Sequence, residues 1–130
     1  KINDRSTINN IYQSLQIGTM DQHSSSPKFL QTLKMFRMKS TQTGKIVSLD
    51  CEMVGVGPNG LESALARVSI VDINEIVIFD TYVQVSQPVI DYRTHVSGIT
   101  KVNLAPEKSM TFPECRSIVF ALFSGRVLVG

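Results

Sequence analysis

The sequence predicts an α/β fold built on a mixed sheet. Two patterns carry that reading. Three strand-like runs follow one another with short links, and a helical stretch then separates the third run from a fourth. Short links favour an antiparallel three-strand meander. A helix between strands favours a crossover that lays the later strand parallel to an earlier one. A third observation locates the start of the fold. Residues 1–44 hold 6 Lys/Arg against 2 Asp/Glu and residues 45–130 hold 7 against 9, so the overall +2 is the sum of +4 and −2. Of the first 44 residues 13 are hydrophobic, against 42 of the last 86. Residues 1–44 therefore read as a polar, basic, partly disordered extension, and residues 45–130 as the core-forming part.

Within the extension, Ile8, Ile11, Tyr12 and Leu15 fall on one helical face between Thr7 and Gly18. Ser26-Pro27 opens a second candidate helix with Phe29, Leu33 and Phe36 on one side and Lys28, Lys34, Arg37 and Lys39 around it. Such a segment suits a basic arm that touches nucleic acid or a partner, and equally a tether with transient helices.

The first strand is the apolar run Ile46-Val47-Ser48-Leu49, which suits burial on both faces. Pro58-Asn59-Gly60 is a turn with a hairpin signal. From Ala64 to Ile73 the residues alternate, with Ala64, Ala66, Val68 and Ile70 facing one way and Leu65, Arg67, Ser69 and Val71 the other. Asn74-Glu75 breaks the run, and Ile76 to Val85 forms the third strand. Asp91 to Asn103 lacks a clean period and reads as loop with one or two short helical turns. Thr111 to Glu114 fits a capping box, and Phe112, Val119, Phe120 and Phe123 give the following helix an apolar face before Gly125. Val127-Leu128-Val129 is the returning strand.

Composition excludes several classes. No apolar run approaches the roughly 18 residues of a membrane span, so no membrane partner is expected. Cys51 and Cys115 do not make a disulfide framework, which favours a reducing compartment. The sequence opens at Lys1 rather than Met, so a segment before it is expected.

Chemistry concentrates at Asp50-Cys51-Glu52, which the sequence places at the end of the first strand. Side chains alternate along a strand, so Asp50 and Glu52 share one side and Cys51 takes the other. Two fixed carboxylates about 6.6 Å apart along a strand repel each other. A raised pKa, a basic partner or a bound cation must offset that repulsion. Hard oxygen ligands suit Mg²⁺ or Mn²⁺, and a pair of such ions serves phosphoryl hydrolysis. A bare Asp-x-Glu is as readily a solvated strand end.

The surrounding blocks narrow the choice. Residues 49–58 read LDCEMVGVGP, residues 63–71 read SALARVSIV, residues 91–100 read DYRTHVSGIT, and GRVLVG follows near the end. In their order and spacing these resemble the opening half of a DEDDh 3′–5′ exonuclease. The branch is that of eukaryotic RNA exonucleases acting in ribosomal RNA processing and RNA turnover. The resemblance covers residues 46–130 and implies a ribonuclease H-like mixed sheet, cut before its fifth strand.

It also implies that Asp50 and Glu52 are catalytic and ligate two divalent ions, Mg²⁺ or Mn²⁺. Met53 matches a residue that packs on the terminal nucleotide, and Arg93 an arginine that lines the substrate site. The implied partner is the 3′ end of single-stranded RNA, with DNA left open and protein partners undefined. The implied location is the nucleus or nucleolus. The family's later aspartate, histidine base and final aspartate match nothing in residues 1–130, so the resemblance implies that this chain alone is inactive. A non-catalytic RNA-binding or partner-binding fragment is the alternative. Other readings stand beside these roles. Met53 suits a core gap-filler, Arg93 an ion pair with Asp91, Cys51 a buried small residue, and Asp72 and Asp80 solvated or turn-capping positions.

Overall fold

Strand β1 runs over Ile46–Val56 in a computed structural model, which describes residues 28, 29, 31, 32 and 44–129. A 3₁₀ turn at Pro58–Gly60 returns the chain into β2, Glu62–Asp72. Strand β3, Val77–Val83, follows the break at Asn74-Glu75, where Glu75 takes a φ of 61°. The backbone N–H groups of Asn74 and Ile76 both donate to Asp72 Oδ1, at 2.8 and 3.0 Å. Asp72 is thus the turn cap that its position suggests.

The irregular stretch holds helix α1, Thr94–Ser97, and a 3₁₀ turn at Lys101–Leu104. Next come β4, Ser109–Met110, helix α2, Phe112–Phe123, and β5, Val127–Val129. The capping box forms as read: the Thr111 N–H donates to Glu114 Oε2 at 2.8 Å, with Pro113 in the first turn. The strand order is β4-β3-β2-β1-β5. β1, β2 and β3 form the antiparallel meander, and β5 pairs parallel to β1 from Ile46↔Val127 to Ser48↔Val129.

One element was not expected. The sequence reading reaches four strands within these residues, whereas β4 makes a fifth by pairing parallel with Tyr82-Val83. A two-residue strand is too short to leave a period in the sequence. Two strand-level readings also change. Asp50-Cys51-Glu52 lies in the middle of β1, not at its end, because pairing with β2 continues to Val56↔Glu62. The alternation in β2 breaks at Ala66, the extra residue of a β-bulge between the pairs Glu52↔Arg67 and Met53↔Leu65.

The sheet packs α2 on one face. Val47, Val68, Ile70 and Phe79 meet Cys115, Ile118 and Leu122 there. Phe29, fully buried, joins the same cluster from a helical turn in the basic extension. The other candidate helical positions of residues 1–43 lie outside the described residues. A second, smaller cluster of Val54, Ala66 and Ile99 sits under the 85–104 segment.

Candidate active site

The bulge in β2 decides which side chains surround the acidic pair. Val54 packs in the smaller cluster, opposite the α2 side, and alternation from Val54 places Glu52 and Asp50 on that same side. Register then sets their neighbours. Asp50 lies opposite Ser69, which lies opposite Asp80; Glu52 lies opposite Arg67, which lies opposite Tyr82. Six side chains thus form two rows of three across β1, β2 and β3, with neighbouring strands about 4.8 Å apart.

Arg67 does not take its direct neighbour Glu52. Its Nε and Nη2 donate to Asp80 Oδ1 and Oδ2 at 2.8 and 2.7 Å, a two-pronged pair along the diagonal. Its guanidinium carbon lies 5.8 Å from the centre of the Tyr82 ring. The hydrogen bonds that Arg67 donates to Asp80 come first in holding the Arg67 pKa above its ordinary value. Among the described residues, no side-chain hydrogen bond or ion pair engages Asp50 or Glu52. Asp50 is exposed and Glu52 half-buried, so water reaches both.

Cys51 takes the opposite side, as alternation requires, but it is exposed rather than buried. β5 extends only to Ser48 along β1, so nothing covers the outer flank at Cys51 among the described residues. Partial burial, then the charges of Asp50 and Glu52, push its thiol pKa up. Met53 is half-buried, and it pairs with Leu65, whose side chain packs toward α2. Its side chain therefore lies across the sheet from the carboxylates, and its backbone is the part that borders Glu52.

The 91–100 loop is clamped to the far end of β1. Gly55 N donates to Asp91 O at 2.6 Å, and Ile90 N and Asp91 N donate to Gly55 O at 2.9 and 3.1 Å. Any Cβ at Gly55 would sit 2.5 Å from the Gly60 carbonyl oxygen, so this close approach requires glycine. Arg93 adds a second clamp. Its Nη1 donates to Ser63 Oγ at 2.9 Å, and its Nη2 to Gly60 O at 3.0 Å and Glu62 O at 3.3 Å. Asp91 accepts the Arg93 backbone N–H at 2.8 Å, while the guanidinium goes to the hairpin end. Ser97 and Thr94 lace the loop internally, and Ile99 plugs it into the smaller cluster.

The donor chemistry fits a hard divalent cation: two ionisable carboxylates on one open face, neither held by a side-chain hydrogen bond or ion pair among the described residues. Asp50 and Glu52 are the residues that would hold it. Among the described residues, no group of three or more His, Cys, Asp or Glu gathers around one point. The sequence pointed to Asp50 and Glu52 but not to Arg67, Asp80 or Tyr82. The available signal was Arg67 and Ser69 at alternate positions of an otherwise apolar strand.

Comparison with known proteins agrees with this geometry. The family model described as Exonuclease matches residues 47–130. RNA exonuclease 4 of Neurospora crassa is 51% identical over 92 residues, covering 71% of this chain and 22% of that protein. RNA exonuclease 4 of Saccharomyces cerevisiae is 44% identical over 92 residues, covering 71% of this chain and 31% of that protein. The chain thus spans less than a third of the length of these two relatives. Among solved structures, the Saccharomyces cerevisiae PAN2 pseudoubiquitin-hydrolase-RNase module aligns with a TM-score of 0.58 at 28% identity, over 72% of this chain and 18% of that one. The Pan2 module solved in complex with AAUUAA RNA aligns with a TM-score of 0.56 at 26% identity, over 72% and 18%.

Proposed function

This chain belongs to the exonuclease family, and on that premise we propose that it contributes to metal-dependent 3′–5′ hydrolysis at the 3′ end of single-stranded RNA. The observation that carries the reading is the pair Asp50 and Glu52 on an open sheet face, with no side-chain hydrogen bond or ion pair to either among the described residues. The names of the RNA exonuclease 4 relatives and the Pan2 module solved with RNA support RNA over DNA. When bound, Mg²⁺ or Mn²⁺ supplies a polarised water and stabilises charge on the leaving oxygen.

The chain's own residues have separate tasks in this reading. Asp50 and Glu52 present carboxylate oxygens from a paired strand, so their spacing is fixed before any ligand arrives. The Met53 backbone and the Arg93 side chain are the substrate-side groups. Met53 continues β1 past Glu52, and Arg93 fixes the 91–100 loop against the hairpin end. The Arg93 guanidinium has more donors than its three described contacts use, and the remainder suit phosphate or ribose oxygens. A nuclear place of action, in ribosomal RNA processing or turnover, rests on resemblance alone.

Two carboxylates hold Mg²⁺ weakly, because it demands a near-complete octahedral shell. The polypeptide of residues 1–130 is therefore proposed to be inactive alone. The test is a 3′-end trimming assay on labelled single-stranded RNA with Mn²⁺, using both these 130 residues and the longest polypeptide that their gene encodes. The longest polypeptide should release nucleoside 5′-monophosphates, and Asp50→Ala should abolish this. Trimming that survives Asp50→Ala would overturn the role of the pair. Trimming by residues 1–130 alone would overturn their inactivity. Salt-sensitive RNA binding without cleavage in both would favour a binding module instead.

A further inference from the structure

From the two rows of side chains on the open face, we infer that Asp80 is a positioning residue that holds Arg67 away from Glu52. This keeps both carboxylates of the acidic pair available to a divalent cation. The inference rests on the proposed metal-binding role of Asp50 and Glu52 and adds a residue to it.

Register gives Arg67 a choice. Glu52 stands directly across from it on β1, and opposite charges in that arrangement ordinarily pair. Asp80 stands one step along the diagonal on β3, a more distant position by backbone geometry. Arg67 nevertheless gives both prongs of its guanidinium to Asp80, at 2.8 and 2.7 Å. Two features make the diagonal the better offer. The carboxylate of Asp80 meets the guanidinium fork edge to edge, which a single-pronged contact cannot match. The Tyr82 ring, directly across from Arg67 on the β3 side, takes the face of the guanidinium. Arg67 is thus drawn toward β3 at its edge and its face together. Had it turned toward β1, its charge would occupy the oxygens that a cation needs.

The β2 bulge contributes to the same end. It lies between the pairs Glu52↔Arg67 and Met53↔Leu65, so it fixes Arg67 as the last regular partner before the register shifts. Asp50 is opposite Ser69, an uncharged residue, and Arg67 is the cation that register brings next to the acidic pair.

Removing Asp80 should release Arg67 to Glu52. The test uses the 130-residue chain, Mn²⁺ as the probe, titration calorimetry, and about 0.15 M salt, where charges beyond roughly 8 Å are largely screened. Asp80→Asn should weaken Mn²⁺ binding roughly two- to five-fold, the size expected of a cross-strand charge pair. The double variant Asp80→Asn with Arg67→Gln should restore it, whereas loss of a merely structural pair would not be repaired by deleting its second half. Glu75→Gln, in the distant β2–β3 turn, removes the same charge and should leave binding unchanged.

A metal-free readout stands beside this one. Glu52 also acts on Arg67 through its charge, a smaller effect than the bonds to Asp80, so the Arg67 Nε–H resonance should move only slightly on Glu52→Gln in the natural chain. In Asp80→Asn it should move, and the further shift when Glu52→Gln is added should be several-fold larger than in the natural chain. Equal Mn²⁺ affinity in Asp80→Asn, or an Arg67 resonance that responds to Glu52→Gln as strongly in the natural chain as in Asp80→Asn, overturns the inference. If the natural chain binds no Mn²⁺ at millimolar concentration, the metal-binding reading falls, and with it the availability Asp80 is said to protect. The Arg67 resonance then separately decides whether Asp80 diverts the arginine.

Discussion

Under helix α2, Val68, Ile70 and Phe79 are at most 3% exposed, whereas across the same strands the Arg67 and Asp80 side chains keep 36% and 39% of their surface in water. The covered face places hydrocarbon against hydrocarbon and accounts for most of the burial. The open face carries the charged and aromatic side chains, and it tolerates them because water and mutual pairing solvate them. One β-bulge, at Ala66, sets where the two faces exchange roles, because it moves Leu65 to the α2 side and keeps Arg67 opposite Glu52. Stability and chemistry are thus assigned to opposite sides of one sheet, and substitutions on the two sides should differ in kind.

The largest effect belongs to the covered face. Ile70→Ala, at a fully buried position, should cost about 2–5 kcal/mol in a urea melt, while Ser69→Ala beside it should stay within about 0.5 kcal/mol. Similar losses for both would erase the distinction between faces.

Gly55→Ala should cost about 1–3 kcal/mol, because its Cβ meets the Gly60 carbonyl at 2.5 Å and one of the two must move. Hydrogen exchange should then quicken at the Asp91 amide, which donates to Gly55 O. Unchanged exchange would mean that the loop clamp does not depend on this close approach.

The covered face should also show a pH signature. Burial, with a smaller contribution from Cys51, pushes the Cys115 thiol up from 9.0 to about 12. The unfolded chain loses that proton first, so stability is complete below pH 9 and falls between pH 9 and pH 12. The slope should approach at most about 1.4 kcal/mol per pH unit and be shallower in Cys115→Ala. Cys51, exposed on β1, should react with a thiol reagent in the native state while Cys115 waits for unfolding.

Much of this organisation was legible in the sequence. Period-two alternation marked β2 and β3, the Thr111–Glu114 capping box marked α2, and the LDCEMVG block marked the acidic pair. What escaped has physical reasons. β4 is held by two backbone pairings and a helix beside it, which no local period encodes. The bulge at Ala66 depends on register with β1, so a single strand read by itself continues its alternation straight through. The partnership of Arg67 with Asp80 crosses two strands and follows from that register. Arg93 was read toward substrate, and its three bonds to the hairpin end became visible only when residues 30 or more positions apart came together.

The smallest change in stability should accompany the largest change in chemistry. Asp50→Asn removes an exposed carboxylate with no side-chain hydrogen bond or ion pair among the described residues, so its urea midpoint should match that of the natural chain. Mn²⁺ titration of the two proteins side by side is the most direct test of the open face as a metal-binding surface. Weak binding by the natural chain that disappears in a fully folded Asp50→Asn is the predicted result. Equal affinity in the two would contradict it.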